Sequence, residues 1–522
     1  MLLKKFKNRF LIQESEKNFI DFVKKKFIKN NKTNGSILIE APLDDKFFLI
    51  KNFMISTYLS KKFNLAILYY INFNKNRSFR STISKVYYLL VYNFISFNKL
   101  KKIYDAFCNK MVLNCYYVGN KKNNLDKNIS FRKILNFHHK GVKIGDLILD
   151  SYLYYFYNFR YYGDIKKCIN EKLFQRHFQN SLNIVNKFHE LFQKENIKIL
   201  VNNYSGYLDH GIAARFAEKY NLPIYYICEI DRPFVKSYLS KHKRNYRNYK
   251  NNFFKLNERQ KKINKSLKIL NKRFLGKIDF GINYLKKNNY KKTNKKLIEN
   301  QKKSICIFLH NTTDSLFGFS FMNFTSQNEW IVKTLKLLKF LKNDYNILIK
   351  IHPNETIEGE NFLRSSISKF TFVKIIDKNI NIKTIINSKL VVGITLHGSV
   401  GLELAYHNIP TIYGNDNPYA AFDFCIKSNN LAMYKKNILN IKFLSKKTIY
   451  KKEAAIFYHM NFIQNHDGKV SNYDQTNLTS YLNKGKELSD KNFQRYINYL
   501  KNKNLSKIYE YLNKSDKSFD NF

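Results

Sequence analysis

The feature that most constrains this chain is a repeated alternation of short apolar strands and helical segments. Residues Ser36–Ala41 are predicted to form a buried strand, a helical segment follows, and Leu65–Tyr70 is the next predicted strand. The same pattern recurs where a strand at Ile197–Asn202, a polar loop and a helix precede the apolar run Pro223–Cys228. Strand, helix and strand at this spacing form βαβ units, which build parallel sheets. The pattern therefore predicts an α/β protein.

A second alternating block begins near residue 304. Helical segments separate its predicted strands, which are Ser304–Leu309, Ile347–Ile351, Phe372–Ile376, Leu390–Val392 and Thr411–Tyr413. Strands that alternate with helices in this way predict a second doubly wound, Rossmann-like domain.

These two blocks predict the organisation of the whole chain. Residues 1–240 form the N-terminal Rossmann-like domain, with an aromatic-rich helical insertion at about 76–195. Residues 241–303 form a basic helical connector whose apolar residues recur on one face, and the alternative for this stretch is a helix lying on anionic lipid. Residues 304–440 form the second Rossmann-like domain, and 441–522 form a helical C-terminal region.

The charge of the chain is strongly positive. Its 522 residues include 92 Lys and Arg against 39 Asp and Glu, which gives a formal net charge of +53. Such an excess favours acidic partners, namely nucleic acid, an anionic membrane surface or phosphorylated substrates. Heavy use of Lys, Asn, Ile, Phe and Tyr indicates that codon bias contributes much of the excess. No zinc-finger, helix-turn-helix or RNP-like pattern occurs, so nucleic acid is not an expected partner, although a non-enzymatic basic nucleic-acid-binding protein stays open as a rival hypothesis.

The cysteines and the apolar runs indicate a reducing, aqueous compartment. The six cysteines are scattered without a CxxC pair, which favours free thiols. The first ten residues lack an apolar core of secretory length, and no apolar run is long enough to span a membrane. We expect a cytoplasmic protein, and peripheral attachment to the inner face of the cytoplasmic membrane is a further expectation. No His, Cys or carboxylate cluster has metal-ligand spacing, so neither a metal nor another cofactor is expected.

Turn-forming residues concentrate between Lys350 and Phe424. Three of the six prolines in the chain (Pro353, Pro410 and Pro418) lie there, and four of its 17 glycines fall between residues 393 and 414. This concentration indicates tight turns between strands and helices, where phosphate sites tend to form. The GxGxxG, GxxxxGK[ST] and GxSxG fingerprints are absent, which argues against a dinucleotide site, a P-loop and an α/β-hydrolase.

Three loops are expected to converge at the carboxyl edge of the second sheet: His310–Asp314, His352–Glu355 and Thr395–Ser399. A histidine before a proline can donate to a phosphate oxygen or act on a leaving group, so His352 is a catalytic candidate. The alternative for this region is structural, with Ser399 as a helix N-cap and Glu403 as an exposed helix charge. The predicted donor-site and nucleotide-binding residues are His310, Lys350, Pro353, Thr395, His397, Gly398, Ser399 and Glu403.

At these residues the chain resembles bacterial glycosyltransferases of the GT-B fold that build capsules and surface carbohydrates. The sequence Lys-Ile-His-Pro at Lys350–Pro353 is similar to the His-Pro motif of capsular Kdo transferases and several bacterial sialyltransferases. Gly398–Glu403, followed by Ile409–Gly414, is similar to their donor-site segment. Gly145–Leu153 is similar to a Gly-Asp-Leu stretch of surface-carbohydrate proteins.

The resemblance implies a GT-B-like fold, with two Rossmann-like domains facing a cleft, and a metal-independent glycosyltransferase. Such an enzyme moves a sugar from a nucleotide sugar to a surface polysaccharide or a lipid-linked precursor. The resemblance also implies that the C-terminal domain binds the nucleotide and that the N-terminal domain supplies the acceptor site and any base.

The candidate bases in the expected places are Asp209 and His210, together with Glu40 and Asp44 at the end of the first strand. The paired acidic motif of sialyltransferases is absent, and a purely structural loop histidine is the alternative for His210. A polyol-phosphate transferase or a sugar epimerase on the same fold stays open as a second hypothesis.

Overall fold

The computed structural model describes most of the chain. The described residues are 12–29, 33–41, 46–71, 93–114, 130–155, 169–227, 234–240, 244–275, 297–298, 301–312, 315, 317, 323–324, 326–396, 398–415, 417–444, 446–463, 490–502 and 505–520. The chain divides into two compact units. Unit 1 comprises Met1–Phe156, Gln175–His242 and His466–Phe522, and unit 2 comprises Tyr157–Phe174 and Lys243–Asn465.

Helices and strands alternate along the described chain. The helices are α1 (Glu14–Lys26), α2 (Lys46–Phe63), α3 (Asn93–Tyr104), α4 (Phe131–Leu135), α5 (Gly145–Tyr155), α6 (Lys172–Lys194), α7 (Tyr207–Lys219), α8 (Tyr249–Phe254), α9 (Arg259–Phe274), α10 (Gln327–Leu338), α11 (Ile357–Ser368), α12 (Ile382–Ile386), α13 (Val400–Tyr406), α14 (Leu431–Leu439), α15 (Ile449–Tyr458), α16 (Asp490–Asn502) and α17 (Leu505–Asp520). The strands are β1 (Ser36–Ala41), β2 (Ala66–Ile71), β3 (Lys110–Asn114), β4 (His138–His139), β5 (Val142–Lys143), β6 (Ile197–Asn202), β7 (Ile224–Tyr226), β8 (Val235–Ser237), β9 (Lys303–Phe308), β10 (Tyr345–Lys350), β11 (Val373–Ile376), β12 (Leu390–Thr395), β13 (Thr411–Tyr413) and β14 (Cys425–Ile426).

In unit 1, β4 and β5 pair as a two-stranded antiparallel sheet, and the other six described strands form a sheet in the order β3-β2-β1-β6-β7-β8. All its neighbouring strands are parallel except the antiparallel pair β7 and β8. Every residue of β1 is buried, as expected for a central strand that is covered on both faces. A core cluster unites Ile37, Ile39, Phe53, Tyr69 and Val201 on one side of this sheet.

Unit 2 is built on a second described six-stranded sheet, in the order β11-β10-β9-β12-β13-β14. All its neighbouring strands are parallel. Two core clusters pack in this unit, one around Phe424, Phe457 and Leu270 and the other around Phe308 and Leu404.

Both sheets share one topology. Counted along the chain within each sheet, the strand order is 3-2-1-4-5-6, which is the doubly wound Rossmann order. The order reverses between β1 and β6 in unit 1 and between β9 and β12 in unit 2. In open parallel sheets, ligands bind at the carboxyl edge beside this reversal. The prediction of an α/β protein with two Rossmann-like domains is confirmed, and the expected cleft between the domains stays a prediction.

The predicted C-terminal region 441–522 is divided between the units. Helix α15 packs in unit 2, whereas α16 and α17 belong to unit 1. Helix α16 lies against α1, where the Phe19 and Phe493 ring centroids are 5.7 Å apart. Helix α17 is held by the carboxylate of Asp516, which accepts hydrogen bonds from Lys62 at 2.8 Å and from Tyr225 at 2.9 Å. Buried apolar and charged contacts therefore assign these helices to unit 1.

The predicted basic connector also differs from the structure, because its described helices pack into unit 2. Ile263 and Leu270 of α9 are buried in one core cluster with α15. Half of its exposed residues are lysines and the others are Arg, Gln and Asn, so the helix has the apolar stripe and the solvated face that its sequence predicts.

Among the described helices, none has both the length and the apolar character that crossing a membrane requires. In the same part of the chain, no three His, Cys, Asp or Glu side chains are grouped so as to hold a metal ion.

Candidate functional site

In unit 2, a buried carboxylate joins the loops that follow β9 and β10. Glu355 is 4% exposed and accepts hydrogen bonds from the Thr312 backbone N–H at 2.9 Å and the Thr312 hydroxyl at 2.7 Å. It also accepts from the Thr356 N–H at 3.0 Å, at the start of α11. These hydrogen bonds therefore join the two loops at the carboxyl edge of the sheet. The sequence did not single out Glu355, because its partner Thr312 lies 43 residues away.

The His-Pro motif forms a tight turn on this joined edge. The Glu355 N–H donates to the His352 carbonyl at 3.0 Å, with Pro353 and Asn354 between them. The Asn354 N–H donates to His352 Nδ1 at 3.2 Å, which assigns the ring proton of the neutral imidazole to Nε2. The His310 ring lies 6.2 Å from the His352 ring, centroid to centroid. The structure therefore brings together two of the predicted histidines.

Lys350 lies at the end of β10 but is directed to the β11 side. Its ammonium group donates to the Asp377 carbonyl at 3.0 Å and also to the Lys378 carbonyl. The side chain is only 7% exposed, and burial lowers its pKa to about 8. The predicted nucleotide contact of Lys350 stays a prediction, and in this structure its ammonium ties the end of β10 to the loop that follows β11.

The predicted loop from Thr395 to Ser399 is only partly described, because His397 lies outside the described residues. The buried Thr395 hydroxyl donates to the Phe308 carbonyl at 3.0 Å, so it braces β12 against β9. Gly398 packs closely, since a Cβ there would lie 3.1 Å from Thr395 Oγ1. Ser399 occupies the N-cap position of α13 and is exposed, and its side chain makes no cap hydrogen bond.

Glu403 on α13 pairs with an arginine that the sequence did not single out. Its Oε1 lies 3.6 Å from Arg273 Nη1, and the two side chains are 12% and 2% exposed. Arg273 also lies over the Tyr458 ring, 5.6 Å from its centroid. This pair ties α13 to α9. The available signal was an arginine in a helix whose other cations are mostly lysines. Arginine is better suited than lysine to buried ion pairs, so its presence there can indicate one.

In unit 1, two of the candidate bases form a hydrogen-bonded pair. His210 Nδ1 lies 2.6 Å from Oε1 of Glu40. Glu40 comes from the carboxyl end of β1 and His210 from the first turn of α7, directly after β6. These strands are the neighbours between which the order of the sheet reverses. The pair therefore lies where an open parallel sheet places its ligand.

Burial and charge make this histidine a suitable proton acceptor. Glu40 is 1% exposed and His210 is 27% exposed. Burial lowers the pKa of His210, but the Glu40 carboxylate, its hydrogen bond and the charge of Asp209 outweigh that effect and raise the pKa above its ordinary value. Because Nδ1 faces Glu40, the lone pair of the neutral ring is on Nε2, which has no hydrogen-bond partner among the described residues.

Asparagine side chains hold the backbone on both sides of the pair. Asn52 donates to the Glu40 carbonyl at 2.7 Å, and Asn202 donates to the His210 carbonyl at 2.9 Å. Both asparagines are fully buried. Asn is abundant throughout the chain, so neither residue stood out in the sequence, although the position of Asn202 at the end of a strand was an available signal.

The Gly-Asp-Leu stretch at Gly145–Leu153 falls in α5 and supports the helix that carries His210. The Asp146 carboxylate binds Arg215 of α7 at 2.7 Å, and both side chains are buried. The Ser151 hydroxyl accepts from the Leu208 N–H at 2.6 Å, in the first turn of α7. These contacts give the stretch a positioning role behind the Glu40–His210 pair.

The structure says less about the other two candidate bases, Asp209 and Asp44. Asp209 is partly exposed in the first turn of α7, where a carboxylate also complements the helix dipole. Asp44 lies outside the described residues.

Comparisons with known proteins identify similar structures at low scores. No family model matches the chain, and no curated protein matches it either. A β-Kdo 2,4-transferase, KpsC of Thermosulfurimonas dismutans, is similar with 11% identity over 50% of this chain and 80% of that chain, at a TM-score of 0.30. The UDP-GlcNAc 2-epimerase of Neisseria meningitidis is 10% identical over 82% of this chain and 98% of its own, at a TM-score of 0.22.

The wall teichoic acid polymerase TagF is 12% identical over 92% of this chain and 96% of that one, also at a TM-score of 0.22. Similarity at these scores carries no argument about function. The fold assignment therefore rests on the two sheets themselves.

Proposed function

We propose that the chain is a metal-independent glycosyltransferase that moves a sugar from a nucleotide-sugar donor to a surface polysaccharide or its lipid-linked precursor. Unit 2 binds the nucleotide and unit 1 supplies the base. The proposal places the enzyme in the cytoplasm, where nucleotide sugars are made, with peripheral attachment to the membrane. The observation that carries it is the hydrogen bond between Glu40 and His210 at the strand-order reversal of unit 1.

The proposed base chemistry follows from the geometry of that pair. Nε2 of His210 removes the proton of an acceptor hydroxyl as the hydroxyl oxygen bonds to the anomeric carbon of the donor sugar. The bond between that carbon and the nucleotide oxygen breaks, and the nucleotide leaves as an anion. Glu40 holds the ring through Nδ1 and stabilises the imidazolium that forms, as a carboxylate does in a catalytic triad.

The proposed donor site uses the joined loops of unit 2. The tautomer assigned to His352 leaves an N–H on Nε2, which donates to a phosphate oxygen of the nucleotide. His310 lies beside it and supplies a second imidazole. Donors held in place before the reaction stabilise the negative charge that develops on the leaving nucleotide. Glu355 keeps both loops in register for this task.

The proposal is tested by a thermal-shift screen of the full chain against nucleotides and nucleotide sugars, followed by product analysis. A donor ligand must raise the melting temperature by mass action, and the same ligand should be turned over when acceptors are added. Sugar transfer releases the nucleotide part of the donor, a diphosphate from UDP-type donors. Polyol-phosphate transfer releases a nucleoside monophosphate and leaves a phosphate on the acceptor. The phosphate content of the acceptor product therefore distinguishes it from sugar transfer, including transfer from a monophosphate donor. An epimerase converts the donor without any acceptor.

Two results would refute the glycosyltransferase proposal. One is the absence of any shift with all common nucleotides at millimolar concentration. The other is conversion of a nucleotide sugar that proceeds equally well with and without acceptor.

A further inference from the structure

Two phenylalanines of unit 2 project into solvent. Phe340 is 76% exposed and Phe443 is 72% exposed, whereas Phe308, Phe424 and Phe457 in the same unit are each under 9% exposed. Each exposed ring belongs to a 3-10 turn that follows a helix. These turns are Lys339–Leu341 after α10 and Ile441–Phe443 after α14.

The two turns emerge at the same end of unit 2, because α10 and α14 run side by side in the same direction. Before the helices begin, Asn323 donates to the Ser428 carbonyl at 2.8 Å. Further along, the Trp330 indole N–H lies 2.9 Å from the Tyr434 hydroxyl. Phe340 follows Trp330 by ten residues, and Phe443 follows Tyr434 by nine. Because the helices run in the same direction, the two phenylalanines lie at similar distances beyond this contact and at the same end of both helices.

The turns are anchored, so the exposure of the rings does not come from a loose end. Leu341 and Ile441 are buried beside the exposed rings, at 8% and 1% exposure. Each turn therefore directs one apolar side chain into the core and a larger one into solvent. Large exposed apolar side chains held in this way are typical of interaction surfaces.

Lysines surround both rings. Exposed Lys339 and Lys342 flank Phe340 in the chain, and the Lys442 ammonium lies over the Phe443 ring, 5.0 Å from its centroid. Exposed Lys446 follows three residues after Phe443. None of these four lysines forms an ion pair with a carboxylate in the part of the chain that the structure describes. We call this set of four lysines and two phenylalanines the basic aromatic surface.

We propose that the basic aromatic surface docks on an anionic lipid bilayer. The Phe340 and Phe443 rings insert at the boundary between headgroups and acyl chains, while the four ammonium groups contact lipid phosphates. Lysine next to exposed apolar side chains is the composition of interfacial membrane anchors. A nucleic-acid surface is disfavoured because arginine, the residue most used for nucleic-acid recognition, is absent from residues 333–344 and 431–447. The proposal does not depend on any transferase activity.

Vesicle co-sedimentation of the full chain tests the proposal. The protein should bind phosphatidylglycerol-containing vesicles and should not bind pure phosphatidylcholine vesicles. The double variant Phe340→Ser/Phe443→Ser should bind anionic vesicles about tenfold or more weakly, with an unchanged melting temperature. The matched control is Ile28→Ser/Leu275→Ser, which removes two other side chains of 88% and 70% exposure and should bind as wild type does.

The lysines are tested separately. The triple variant Lys339→Gln/Lys342→Gln/Lys442→Gln should weaken binding more than Lys261→Gln/Lys268→Gln/Lys272→Gln, which removes three exposed charges from α9. Equal losses in the two triple variants would mean that total charge, and not this surface, drives the binding. That result would overturn the proposal.

Insertion is tested with a Phe340→Trp variant. The chain has a single tryptophan, Trp330, which is fully buried and gives a constant background. The new indole should shift to shorter emission wavelength and be quenched by brominated lipids. An indole that stays in water, or vesicle binding that RNA abolishes at equal phosphate concentration, would overturn the lipid assignment.

Discussion

Glu40 holds the imidazole of His210 across two neighbouring strands, through a hydrogen bond of 2.6 Å between Oε1 and Nδ1. The carboxylate is buried and the imidazole is partly exposed. The strand order of the sheet creates this contact, because β1 and β6 are adjacent although 170 residues separate the two side chains in the chain. The arrangement fixes the ring orientation and leaves Nε2 available, which is what a general base requires.

Replacing His210 with alanine should abolish the base. We expect kcat of sugar transfer to fall by about 10²–10⁴-fold. The melting temperature should fall as well, because the buried Glu40 carboxylate loses its hydrogen-bond partner. Steady-state kinetics with the donor found in the screen measures this. His138→Ala, which removes an exposed histidine of the same unit, is the matched control and should keep full activity. A His210→Ala enzyme with wild-type kcat would remove His210 from the mechanism.

Replacing Glu40 with glutamine should move the pH dependence of transfer. The base works only when His210 is deprotonated, and the Glu40 carboxylate raises the His210 pKa above its ordinary value. The acidic limb of the wild-type profile should therefore lie at higher pH than the ordinary histidine pKa would place it. In Glu40→Gln the limb should move to lower pH, because burial, which lowers the pKa, is left without the opposing carboxylate. If the acidic limb of Glu40→Gln coincides with that of the wild type, a group other than His210 controls the pH dependence of transfer.

The same pair makes a prediction for stability. Because the folded-state pKa of His210 is raised, its contribution to the free energy of unfolding is fully present below the unfolded pKa and is lost as pH rises through the folded pKa. The stability difference between the wild type and His210→Ala should thus shrink as pH increases across that window. Urea unfolding at a series of pH values measures it, and a difference that grows with pH would contradict the assigned ion pair.

Replacing Glu355 with glutamine should loosen the joined loops of unit 2. A glutamine cannot accept the two Thr312 hydrogen bonds through two carboxylate oxygens, so the free energy of unfolding should fall by about 1–3 kcal/mol. In a double-mutant cycle with Thr312→Val, the coupling energy should be about 0.5–3 kcal/mol. Glu358→Gln replaces an exposed glutamate three residues away and should change stability little. A coupling of zero would show that the loops are joined by other contacts.

Replacing His352 with alanine should abolish transfer without unfolding the protein. The imidazole is partly exposed in a turn whose backbone hydrogen bond remains, so circular dichroism and the melting temperature without ligand should stay as in the wild type. The thermal shift produced by the nucleotide should shrink, because a phosphate contact is lost. Ser365→Ala, an exposed site on α11, is the control. Unchanged turnover and unchanged shift in His352→Ala would refute the donor-site assignment.

The strands that the sequence predicts best are the central ones. Ser36–Ala41 and Ile197–Asn202 have the predicted bounds. Strands that are covered on both faces are nearly continuous apolar runs, and turn-forming or polar residues mark their ends. The edge strands Val235–Ser237 and Cys425–Ile426 were not predicted. They are three and two residues long, and their pairing depends on a neighbouring strand rather than on a sequence pattern of their own.

The site was predictable in its residue types but not in its pairings. The sequence placed Glu40 and Asp44 at the end of the first strand and Asp209 and His210 in the loop after Ile197–Asn202. The structure shows that these two strands are neighbours and that Glu40 and His210 form a pair. The sequence offered no means to foresee that the ammonium of Lys350 would bind two backbone carbonyls or that Glu403 would face Arg273. Such partners depend on side-chain directions and on contacts between distant segments, which periodicity does not encode.

Helices α16 and α17 belong to unit 1 although they follow unit 2 in the chain, and this order affects how the protein folds during its synthesis. On the ribosome, every residue of Lys243–Asn465 is made before Asp516, whose buried carboxylate completes the contacts with Lys62 and Tyr225. The nascent chain can therefore finish unit 2 while unit 1 still exposes the apolar groove that α16 and α17 later cover. During this interval unit 1 is the part of the nascent chain most exposed to chaperones and to aggregation.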